Sequence, residues 1–161
     1  IRLFEEFVGK VSSFGKSFIC LDDKNNKELI SNFSSLGKIL GLIFQIRDDI
    51  LGIWGTDKTG KHIGADIKRK KKNLPILHVL ANNNSVLSEK VNKIFSKESI
   101  TEFDINLIIE ILDKAGSEEY CQNLINHYWS KGEKIIKTLD IPSSFKQDFN
   151  ELGLYLSVRS S

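Results

Sequence analysis

The sequence predicts an all-α domain, and three observations carry that expectation. No proline interrupts residues 24 to 74, and within that span apolar residues recur at Leu36, Leu40, Ile43, Phe44 and Leu51, the period of a buried helical face. The same spacing of three and four returns in the later stretches, and no alternating strand pattern competes with it. With 161 residues, 40% of them hydrophobic and only 2 prolines, the chain is long enough for one domain with a real core.

The first expected helix covers residues 1 to 21, where Phe4, Phe7, Val8, Val11, Phe14 and Phe18 fall on one side. Asp22 to Asn26 is polar and turn-like, and it separates this helix from a long one ending near Trp54. A basic loop made pliable by Gly55, Gly60 and Gly64 follows. Asn73 is placed to cap a helix through Leu74, Leu77, His78 and Ala81, with Pro75 tolerated in its first turn. A shorter helix carries Leu87, Val91, Ile94 and Phe95 on one face. Ser99-x-x-Glu102 reads as a capping box opening the run Ile105, Ile108, Ile109 and Leu112, which Gly116 closes. Cys121, Leu124, Ile125, Tyr128, Gly132, Ile135, Ile136 and Leu139 mark the next helix. Pro142 breaks the chain, and Ser144-x-x-Gln147 opens a last helix with Phe149, Leu152 and Leu156 inward.

Composition excludes several classes of function. A net charge of +2 says little about partners and argues against a nucleic-acid module built on the run Lys68 to Lys72, which reads as a solvated face. Cys20 and Cys121 lack the spacing of a disulfide framework, so a reducing, cytoplasmic compartment is expected. Acids and lysines interrupt the apolar stretches of residues 1 to 20, so no secretory signal is read there, and the absence of a run of about 18 apolar residues excludes a membrane-spanning helix. His62, His78 and His127 lack metal-ligand spacing, and no Gly-x-Ser-x-Gly occurs. Gly55 to Lys61 has the spacing of a phosphate-binding P-loop, but His62 stands where that motif needs Ser or Thr, and a helix precedes it. The chain contains no Met and starts at Ile1, so it is expected to be part of a longer translation product.

The chemistry is concentrated between Gly41 and Pro75. Arg47, Asp48 and Asp49 are set into the apolar helix, and charges there are expensive unless they are paired or bind a metal. Gly37, Gly41, Gln45, Asp48 and Gly52 share one stripe, and Asp49 lies about 100° further round, close enough to join Asp48 near one ion. Adjacent carboxylates on a polar helix face are often merely solvated, but these flanks are apolar, which favours a working site. Magnesium suits such a stripe, because it takes one or two carboxylates, keeps several waters and completes its shell with substrate phosphate. Lys58, Lys61 and Lys71 in the following segment offer the opposite charge.

Phe44-Gln45-x-x-Asp48-Asp49, followed by Thr59-Gly60-Lys61, Gly64-Ala65-Asp66 and Lys71-x-x-Leu74-Pro75, resembles the second aspartate-rich region of the trans-isoprenyl diphosphate synthases, or polyprenyl synthetases. The close at Tyr155-Leu-Ser-Val-Arg159 is similar to the C-terminus of that family. The resemblance implies a helical bundle of the isoprenoid synthase type, incomplete at its N-terminus, with residues 1 to 161 forming the C-terminal part of one domain. It implies magnesium-dependent condensation of an allylic diphosphate with isopentenyl diphosphate. In that reading Asp48 binds magnesium directly and Asp49 supports it through water, and Lys61 and Lys71 contact diphosphate. Asp66 orients the loop, and Phe44 and Gln45 line the substrate pocket. A homodimer is the assembly that the resemblance implies.

Three departures from the family pattern stand out. Gly52 replaces the last Asp of Asp-Asp-x-x-Asp, and Leu3-Phe4 occupies the place of a Lys-Thr pair. The first aspartate-rich motif is missing from the 161 residues, so the chain alone is expected to be inactive. A second reading makes it a non-catalytic regulatory subunit of a heteromeric synthase. A terpene cyclase of the same fold is disfavoured, because the Asn/Asp-x-x-Ser/Thr-x-x-x-Glu metal motif does not follow Asp48.

Overall fold

The structure, a computed structural model, describes residues 23–55, 62–81 and 86–158. Seven helices and no strand occur among the described residues: α1 Asp23–Trp54, α2 Ala65–Lys68, α3 Leu74–Leu80, α4 Val86–Phe95, α5 Glu102–Lys114, α6 Ser117–Thr138 and α7 Ser143–Val158. The all-α expectation is borne out. The helix expected over residues 1 to 21 lies outside the described residues.

The helices fall into two compact units. In the first, residues 23–43 of α1 meet the second half of α6 and all of α7. Leu36, Leu40, Ile136, Leu139, Leu152 and Leu156 are buried there, and the Phe33 and Phe149 rings meet at 5.8 Å. Gly153 is required by packing, because a Cβ at that position would overlap the Trp129 indole.

The second unit spans residues 44–126 and holds a continuous core of Ile53, Ile67, Ile76, Val91, Ile108 and Leu112 with their neighbours. Trp54 Nε1 donates to Asp113 Oδ1 at 2.9 Å, fastening the end of α1 to α5. Gly64 takes φ 69° and donates its N–H to Ile53 O at 2.9 Å, so the chain returns to the end of α1 before α2 begins. A side chain at 64 would be strained in that left-handed conformation and would overlap Ile105.

Two capping expectations are corrected. The box that opens α5 is Thr101-x-x-Asp104, two residues beyond Ser99-x-x-Glu102: the Thr101 hydroxyl accepts from the Asp104 N–H, and Asp104 Oδ2 accepts from the Thr101 N–H. Ile100 packs against the core just before the helix, and Lys97 Nζ reaches Asp104 Oδ1 at 2.5 Å, so packing and charge select the later register. Asn73 does stand at the N-cap of α3, but its side chain makes no cap hydrogen bond. The last helix begins at Ser143, one residue before the expected start, and Gly116 ends α5 with φ 65° as expected.

One sequence exclusion proves too strict. Lys27–Trp54 is long and apolar enough to cross a membrane by length and composition alone, because Lys38 is the only charge between Glu28 and Arg47. Core helices of soluble proteins pass the same test.

Candidate functional site

The C-terminal third of α1, the short helix α2 and the entry to α3 place the predicted residues in the second unit. Asp49 is buried at 7% exposure, and each of its carboxylate oxygens is engaged. Oδ1 accepts from Gln45 Nε2, one turn earlier, and from Lys71 Nζ, both at 3.0 Å. Oδ2 accepts from the main-chain N–H of Leu74, also at 3.0 Å. Leu74 is the first residue of α3 and Pro75 has no N–H, so Asp49 satisfies a helix terminus that its own N-cap side chain leaves open.

Asp66 enters from α2. Its Oδ2 accepts from Lys71 Nζ and from Asn73 Nδ2, both at 3.1 Å. The approach depends on Gly52, since a Cβ at position 52 would overlap the Asp66 carboxylate. The glycine that breaks the Asp-Asp-x-x-Asp pattern is thus the position over which a carboxylate from another helix lies. Asp66 supplies an acid against this part of α1, although residue 52 does not.

The backbone turn after α2 delivers Lys71. Lys70 stands at φ 54°, and its N–H bonds Ile67 O at 2.8 Å while the Lys71 N–H bonds Asp66 O at 2.9 Å, the paired bonds of a Schellman motif. A non-glycine residue in the left-handed region carries strain of roughly 1–2 kcal/mol. The Lys70 ammonium offsets part of it by donating to the main-chain oxygens of Lys97 and Glu98. The turn reverses the chain so that Lys71 points back at Asp49 and Asp66.

Burial works against the charge on Lys71, but its hydrogen bonds and ion pairs with Asp49 and Asp66 outweigh that effect, and its pKa is raised above the ordinary 10.5. The ammonium is therefore fixed at neutral pH. The stabilisation it gives is fully present below 10.5 and is lost as the pH rises through the raised value. An ammonium has three donors; Asp49 and Asp66 take two, and the side chain is 42% exposed. One donor remains for a ligand.

Of the other predicted residues, Asp48 is half-buried, and Gln45 and Phe44 are exposed. Lys61 lies outside the described residues. Arg47 is buried and donates to Gln122 Oε1 at 2.8 Å; burial lowers its pKa and Glu118 opposes that shift, so it serves to join α1 to α6. Sequence reasoning missed Asn73 as a site residue, because its N-cap position explained it sufficiently. A separate cleft of about 390 Å³, lined by His62, Ile63, Lys68, Arg69, Glu102 and Ile105, contains none of the carboxylates of this cluster.

The polyprenyl synthetase profile matches residues 14–112, a span that contains every residue of this cluster. The chain belongs to the polyprenyl synthetase family. It is similar to a prenyl transferase of Cyanidium caldarium, 32% identical over 80% of this chain and 38% of that protein. Among solved structures, a polyprenyl synthetase from Streptomyces coelicolor superposes with a TM-score of 0.74 at 26% identity, over 84% of this chain and 41% of that one. A geranylgeranyl pyrophosphate synthetase from Pyrococcus horikoshii gives 0.73 at 28% identity, over 86% and 41%. This polyprenyl synthetase chain therefore spans about two fifths of the length of these relatives, and its helices have the all-α isoprenoid synthase fold.

Proposed function

We propose that the chain forms the C-terminal part of a prenyl chain-elongating domain and holds its second metal and diphosphate site. The observation that carries this reading is the convergence of Asp49, next in sequence to Asp48, with Asp66 and Lys71 from a second stretch of sequence. In the reaction, the bond between the allylic carbon and its diphosphate oxygen breaks. The double bond of isopentenyl diphosphate then forms a new carbon–carbon bond to that cation, and loss of a proton leaves a chain five carbons longer.

Expelling diphosphate is the difficult step, since negative charge builds on the leaving oxygens. Lys71 would donate its remaining N–H to those oxygens, from a position fixed by two carboxylates before substrate arrives. Preorganisation of this kind costs no rearrangement at the moment of bond cleavage. Phe44 and Gln45, exposed on α1, would line the pocket beside the hydrocarbon and the reacting carbon.

The donors fit magnesium in kind and number. No group of three or more His, Cys, Asp or Glu side chains able to hold a metal occurs among the described residues, so a cage built of protein alone is not what they form. Magnesium asks for less, one or two carboxylates with water and phosphate oxygens. Asp48, half-buried on α1, would take it directly, and Asp49, held by Lys71, Gln45 and Leu74, would support it. Bound there with substrate, the ion would neutralise charge on the departing diphosphate.

The regulatory-subunit alternative rested on Gly52 and Leu3-Phe4. Gly52 no longer favours it, since Asp66 fills the space, and residues 3 and 4 lie outside the described residues. In the whole protein, Asp48→Ala should lower magnesium-dependent turnover of isopentenyl diphosphate with an allylic partner by about a hundredfold or more. Turnover within twofold of the parent would remove Asp48 from the site.

A further inference from the structure

We propose that Asn73 is a positioning residue for diphosphate binding: it fixes Asp66 against α1 and thereby sets the direction of Lys71. The inference rests on the diphosphate reading above. Asn73 is 3% exposed, and its Nδ2 donates to Asp66 Oδ2 at 3.1 Å and, at a longer 3.4 Å, to the main-chain oxygen of Asp49. Both partners are acceptors, so the nitrogen must face them and the orientation of the amide is settled.

Two features separate this role from an ordinary structural one. Asn is among the preferred N-cap residues because its oxygen accepts from the first turn, yet Asn73 at the N-cap of α3 makes no such bond. Its Oδ1 is buried and has no hydrogen-bond partner. Folded proteins seldom leave a buried acceptor unpaired, and such exceptions call for an explanation. Here the side chain is withheld from the cap and its nitrogen is committed to the carboxylates that hold Lys71.

The electrostatics show what that commitment does. Asp49 and Asp66 both lie within 3.1 Å of the Lys71 nitrogen, so two like charges are drawn together by one ammonium. Asn73 adds a neutral donor to the same Asp66 oxygen that Lys71 uses and ties it to the Asp49 backbone. Without that donor, Asp66 can rotate away from the space above Gly52, and Lys71 follows one carboxylate instead of standing between two.

The test compares Asn73→Ser and Asn73→Ala in the whole protein. Serine restores an N-cap acceptor but is too short to reach Asp66, so it rescues a capping role and not a positioning one. Calorimetry with magnesium and inorganic pyrophosphate should show both variants binding roughly tenfold more weakly than the parent, as supporting residues around a metal site do. The serine variant should melt close to the parent temperature, and adding Asn73→Ser to Lys71→Ala should cost no further affinity. Parent-like pyrophosphate binding by the serine variant, or full additivity with Lys71→Ala, would overturn the positioning role and leave the diphosphate site standing. A parent protein that binds no magnesium pyrophosphate would overturn the site itself, and the role of Asn73 with it.

Discussion

At the scale of single residues, Gly52 explains most with least. Nothing in the linear pattern accounts for a glycine two positions before Trp54, where the family pattern has an acid. The folded chain does, because the Asp66 carboxylate lies over its Cα. Gly52→Ala should therefore displace Asp66 and destabilise the protein by about 1–3 kcal/mol, the usual cost of overpacking. In the background of Asp66→Ala the same substitution should cost much less, since the group it collides with is gone. Thermal melts of the two single variants and the double variant check this; additive losses would mean that the two positions do not meet. Asp48, Asp49, Gln45 and Lys71 could each be named from spacing and charge, and Asp66 from the family resemblance alone. The partners of Asp49 could not, because Lys71 and Leu74 reach it across 22 and 25 residues of sequence, and no periodicity encodes such a pairing.

Among the elements, helix identity and the ends at Trp54 and Gly116 were legible, and the capping hydrogen bonds were not. The apolar spacing located every described helix except α2, whose four residues are too few to show a period. Both capping errors have local causes. Two overlapping Ser/Thr-x-x-acid patterns precede α5, and the second prevails because Lys97 and the packing of Ile100 favour it. Asn73 stands where a cap belongs, but its side chain is used by the neighbouring carboxylates. The box at α5 has a measurable signature. Hydrogen bonds from Lys97 and Thr101 hold the Asp104 carboxyl down at about 2, against an ordinary 3.8. The stabilisation is complete above 3.8 and is lost as the pH falls from there through about 2. The gap in melting temperature between the parent and Asp104→Asn should thus stay constant near neutrality and close over that acid interval. A gap that persists below pH 2 would assign the effect to packing.

For the whole molecule, the class of fold was readable because an all-α chain repeats one signal along most of its length. The grouping of its helices into two units was not, because α1 and α6 each contribute residues to both. The proposed chemistry is likewise a property of assembly: α1 supplies acids, α2 supplies another, and the turn between α2 and α3 returns a lysine to meet them. The most direct test of this account is magnesium-dependent incorporation of labelled isopentenyl diphosphate into a longer prenyl product, using the whole protein and its Lys71→Ala variant side by side. The account predicts product from the parent, none without magnesium, and a rate lowered about a hundredfold in the variant. Magnesium-dependent product formed equally well by both proteins would contradict the role given to Lys71, and no product from the parent would contradict the proposed function.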